Sequence, residues 1–85
     1  MSSEAKMRVK ANRLLADWVR PYHSALPIDL IDAALVEAGF SPMEDAIYCG
    51  REGRVHEQVG PKTWLAMSWY RMEETNRYEI TAYVS

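Results

Sequence analysis

The hydrophobic period of this chain changes once, near Gly50, and that change sets the class of fold. Before it, apolar residues recur every three or four positions, the spacing of one helix face. From Arg54 onward they alternate, the spacing of one sheet face. A chain of 85 residues with one such switch reads as a single α+β domain. Its helical half covers 4–50 and its antiparallel sheet half 54–85. The expected architecture is two or three helices packed on one face of a three- to four-stranded antiparallel meander.

The first helix is expected over 4–20. Met7, Ala11, Leu14, Trp18 and Tyr22 follow helical spacing, Leu15 and Val19 widen the stripe, and Pro21 ends it. Lys6, Lys10, Arg13 and Arg20 line the opposite flank, interrupted by Asp17. A second helix is expected over 28–38, with Pro27 at its start, Asp29 in its first turn and Gly39 as its left-handed stop. Ile28, Ile31, Leu35 and Ala38 form its apolar side, and Phe40 is placed for the contact that accompanies such a stop. Ser41-Pro42-Met43-Glu44 has the pattern of a capping box and predicts a short third helix over about 42–48. The competing reading makes 46–49 a strand, turned back through Gly50-Arg51-Glu52-Gly53.

In the second half, Arg54–Val59 alternates, Gly60-Pro61 turns, and Thr63–Met72 is dense in strand formers. Glu73–Asn76 is a polar turn. Arg77–Val84 alternates cleanly, with Tyr78, Ile80, Ala82 and Val84 on one face and Arg77, Glu79, Thr81 and Tyr83 on the other.

Lys and Arg total 10 against 12 Asp and Glu, with 48% apolar and 26% charged residues. That balance excludes a disordered tail and a strongly basic histone-like protein. The lone Cys49 excludes an internal disulfide and a four-cysteine zinc site. With no leader pattern and no apolar run near 18 residues, the expectation is a cytoplasmic domain away from membranes.

Several chemistries find only fragments here. Cys49, His56, Glu57 and His23 are metal-ligand types, but zinc sites use tighter, paired spacings. Cys49 with His56, or Ser24 beside His23, lacks the third member that orients a nucleophile and its base. Glu44, Asp45, Glu73 and Glu74 read as helix-start and turn residues, not as an acid–base pair. The expectation is no enzyme, no metal and no cofactor. Residues 33–46 outline a helix-turn-helix, yet Glu44 and Asp45 would present carboxylates to phosphate. Nucleic-acid binding therefore stands as the alternative, carried by Lys6, Lys10, Arg13 and Arg20.

The leading candidate is the second face of Thr63–Met72. Leu65, Met67 and Trp69 fall on one face, and Trp64, Ala66, Ser68 and Tyr70 on the other. A two-layer domain covers only one of these. The outer face would gather Trp64, Tyr70 and Tyr83, with Arg54, His56, Gln58, Arg77 and Glu79 around them. Trp, Tyr and Arg dominate binding hot spots, because they combine contact area with a polar handle. The expected function is a non-catalytic protein-binding module contacting its partner through Trp64, Tyr70, Tyr83, His56, Arg54 and Arg77. Small inhibitors and regulators of phages and mobile elements, anti-CRISPR proteins among them, share this size class. A homodimer through the sheet face, or through a terminal strand left at the sheet edge, is the further possibility considered.

Overall fold

The computed structural model describes residues 3–19, 28–43 and 51–85, and the backbone of 22–23. Helix α1 (Ser3–Trp18) leads to a two-residue strand β1 (Tyr22–His23), then to helix α2 (Ile28–Ala38). Strands β2 (Glu52–Gly60), β3 (Thr63–Met72) and β4 (Arg77–Val84) complete the chain. The sheet is antiparallel with order β1-β4-β3-β2, so β2-β3-β4 is the expected meander and β1 is added beside β4.

The helices form where their apolar residues can be buried together. Ala11, Leu15 and Val19 of the first helical segment join Ile31, Ala34, Leu35 and Ala38 of α2 in one cluster with Leu65, Met67, Trp69, Ile80 and Val84. Trp18 departs from the expected stripe. It lies in the last turn of α1 and stays 36% exposed, while Leu15 and Val19 turn inward in its place. Helix α2 ends at Gly39, whose φ of 101° suits a residue without Cβ. Gly39 N–H donates to Val36 O at 3.0 Å and Phe40 N–H to Leu35 O at 2.8 Å, the paired bonds of a Schellman stop.

The third helix does not begin at Pro42. Pro42 and Met43 are irregular, and the rest of that expected element, with the alternative strand at 46–49, lies outside the described residues. The reason is tertiary. Ser41 N–H donates to Val59 O at 3.1 Å, and Met43 N–H to Asp32 Oδ1 at 3.0 Å. These bonds hold the segment between α2 and the end of β2.

Two further local readings change. Glu52 and Gly53 are not turn residues but the opening of β2. Gly53 passes beneath the Trp69 indole, where an added Cβ would lie 2.6 Å from Cη2. The β2–β3 turn is Pro61-Lys62, closed by the pairing of Gly60 with Thr63 and preceded by a bulge between Gln58 and Gly60. The polar turn at Glu73–Asn76 is present, with Asn76 in the left-handed region at φ 56° and its N–H donating to Met72 O at 2.8 Å.

Helix α1 is tied to the far end of the sheet by polar contacts. Glu4 Oε2 accepts from Lys62 N–H and from the buried Thr63 hydroxyl, both at 2.6 Å. Arg8 Nη1 donates to Thr63 Oγ1 at 3.0 Å and lies 3.6 Å from Glu4. These contacts, with the buried cluster, leave the opposite sheet face uncovered by either helix.

Candidate functional site: the outer face of the sheet

Paired residues of an antiparallel sheet point to the same side, so the register lays out the outer face in rows. Gln58 stands opposite Trp64. The next row is His56, Ala66 and Tyr83; then come Arg54, Ser68 and Thr81; then Glu52, Tyr70 and Glu79; and finally Met72 with Arg77. On β3 the partition is sharp. Leu65, Met67 and Trp69 are buried, whereas Trp64 is 40% and Tyr70 46% exposed. Tyr83 on β4 is 51% exposed.

The six expected contact residues do not form one cluster. His56, Trp64 and Tyr83 gather at one end. The His56 and Trp64 rings stack with centroids 5.1 Å apart and planes 11° from parallel. Arg54 follows one row on. Tyr70 lies six residues from Trp64 along β3, about 20 Å at the usual strand rise. Its hydroxyl donates to Glu79 Oε2 across the strand pair. Arg77 is one row farther, beside the turn to β4.

Small side chains separate the two aromatic ends. Ala66, Ser68 and Thr81 make the floor of an open trough of about 310 Å³, walled by Arg54, His56 and Tyr83. A second hollow of about 440 Å³ continues it past Arg54 and Ser68 toward Glu52 and Tyr70. The sequence places Ala66, Ser68 and Thr81 on this face but does not mark them as contact residues. Their signal was alternation itself: they occupy the outward positions between Trp64, Tyr70 and Tyr83. Hydroxyls, a guanidinium, an imidazole and the Tyr83 ring line the trough, a mixture suited to holding polar and apolar side chains together.

The alternative basic face is partly used within the fold. Lys10 Nζ lies 3.9 Å from Glu37 on α2, and Arg8 is engaged with Glu4 and Thr63. Lys6 and Arg13 are exposed, and Arg20 lies outside the described residues. Among the described residues, no three His, Cys, Asp or Glu side chains are grouped as metal ligands. Cys49 and the His23 side chain lie outside them.

No helix among the described residues is long and apolar enough to cross a membrane. No protein-family model matches the sequence, and no match was found among curated proteins or solved structures.

Proposed function

We propose that this chain is a non-catalytic protein-binding module that docks through the outer face of its sheet and masks a surface of its partner, as a small inhibitor or regulator does. The observation that carries this reading is the split along β3. Alternate residues fill the core, while Trp64, Tyr70 and, on β4, Tyr83 remain exposed. Large aromatics on solvent-facing strands give up area to water that a partner's surface would recover. The trough between them accepts protruding side chains, and Arg54 with His56 supplies orientation.

The competing reading, nucleic-acid binding by α1, has less available charge. Of its four cations, Lys10 lies beside Glu37, which offsets part of the strip's charge toward phosphate. The experiment is affinity capture from lysate with the intact chain, with and without nuclease, alongside Trp64→Thr, Tyr83→Thr and a Lys6→Glu/Arg13→Glu variant. The proposal expects a defined protein that survives nuclease, is lost with the aromatic variants and is kept by the charge-reversed one. Loss with nuclease, or only with charge reversal, overturns it.

A further inference from the structure

We propose that the outer edge of β2 is a docking site for an extended segment of another polypeptide, with a carboxylate opposite Arg54 and a cationic side chain opposite Glu57. The register shows which way the backbone of β2 points. Arg71 N–H donates to Arg51 O at 2.6 Å, and stepping by two along the pairing gives Gly53 with Trp69, Val55 with Met67 and Glu57 with Leu65. Those residues turn their N–H and C=O groups toward β3. Glu52, Arg54, His56 and Gln58, lying between them, turn theirs away from the sheet.

The two flanks of the sheet are treated differently. On the β4 side, β1 pairs with Tyr78 and Glu79, and the Asn12 amide holds the Val84 backbone. The terminal strand is therefore not left as a bare edge. On the other side β2 ends the sheet order, and the described contact at its edge is Ser41 N–H on Val59 O. Among the described residues no strand pairs with this edge, and 52–58 present a row of donors and acceptors to a further strand.

Side chains select what that strand carries. Arg54 makes no ion pair among the described residues and stands exposed on the outer face. On the inner face Glu57 Oε2 is buried with no hydrogen-bond partner among the described residues. Glu57 as a whole is half-exposed, and a cationic side chain on a docked strand would pair with its carboxylate. A residue paired antiparallel with Glu57 enters a close, non-hydrogen-bonded pair, with Cα atoms about 4.5 Å apart. Opposite Gly53 and Val55, an added strand meets the apolar margin near Trp69. A second copy fits less well. A twofold through Val55, which pairs all four outward residues, sets Arg54 against a second His56 and Glu57 against a second Gly53.

The test uses the full, isotope-labelled chain and the synthetic strand acetyl-Thr-Lys-Thr-Val-Glu-Val-Lys-amide, whose residues run antiparallel to 58–52. In the free, dilute chain the amides of Arg54 and His56 should exchange at least about tenfold faster than those of Val55 and Glu57. Peptide at millimolar concentration should slow them and shift residues 52–58. N-methylation of the peptide glutamate, whose N–H faces β2, should abolish the effect. N-methylation of the valine opposite Val55 should not. Replacing the glutamate by lysine should weaken binding about tenfold, and Arg54→Glu should restore it. Protection of Arg54 and His56 in the dilute free chain overturns the proposal, as does absence of a peptide response or indifference to N-methyl position. Protection that grows with protein concentration assigns the edge to a second copy and overturns it too. Failure of the face reading would show separately, as undiminished partner affinity in Trp64→Thr/Tyr83→Thr, and does not bear on peptide protection of Arg54 and His56.

Discussion

Asn12 on α1 grips the backbone of Val84 with both halves of its amide. Its Nδ2 donates to Val84 O at 3.0 Å, and its Oδ1 accepts from Val84 N–H at 2.8 Å. One side chain thereby stands in for a neighbouring strand at the end of β4 and fixes the helix against the sheet. Asn12→Ala should cost about 1–2 kcal/mol in denaturant unfolding. Asn12→Asp, which removes the donor and sets a carboxylate against a carbonyl, should cost at least as much. A loss below about 0.3 kcal/mol in both would show that water replaces the amide without penalty.

A contact in the first turn of α1 gives stability a pH dependence. The Thr63 hydroxyl holds the Glu4 carboxyl below the ordinary carboxylate range, helped by Lys62 N–H and the Arg8 charge and opposed by desolvation. A carboxylate lowered by folding contributes stability above its unfolded pKa, and that contribution disappears as pH falls through the folded value. The acid side of the stability profile should therefore be shallower in Glu4→Gln than in the parent. Thr63→Val, which keeps shape but removes the hydroxyl, should raise the Glu4 pKa measured by carboxyl NMR titration. An unchanged Glu4 titration in Thr63→Val would contradict the assignment of cause.

At Gly53 the strand has no room for a side chain, because Trp69 covers it. Gly53→Ala should destabilise by about 1–3 kcal/mol, the range for overpacking. Combined with Trp69→Leu, the same substitution should cost markedly less than it does alone. Additive losses in that double-mutant cycle would place the strain elsewhere.

The two tryptophans of β3 should respond differently to truncation. Trp69, only 5% exposed, belongs to the core, and Trp69→Ala should cost about 3–5 kcal/mol. Trp64→Thr keeps a strand-favouring residue on the open face and should cost about 1 kcal/mol or less, chiefly the cross-strand contact with His56. Similar losses would mean that the outer face is structural.

Much of this fold was legible because its signals are local. Gly39 closes α2 as its position in the sequence predicts, and plain alternation separates Trp64 and Tyr70 from Leu65 and Trp69. What failed depended on partners distant in sequence. Pro42 and Met43 are irregular where hydrogen bonds from Ser41 to Val59 and from Met43 to Asp32 hold them, and no local reading supplies those partners; the rest of the capping pattern lies outside the described residues. Gly53 was read as a turn because glycine serves turns and close approaches alike, and Trp69 decides between them. Strand β1 is two residues long, too short for alternation to register. The contact of Arg8 with Thr63, 55 positions on, likewise depends on the assembled fold. The candidate site was legible as a face but not as a shape. Alternation places Trp64 and Tyr70 together, whereas the strand rise separates them and puts Ala66 and Ser68 between.

The central claim is that the outer sheet face binds a protein without holding the fold together. The direct measurement is partner affinity and unfolding free energy on the same preparation of Trp64→Thr/Tyr83→Thr, each compared with the parent chain. The account predicts a loss of binding of at least about 2 kcal/mol, with a smaller loss of stability and an unchanged unfolding cooperativity. Undiminished affinity, or collapse of the fold together with binding, would contradict it.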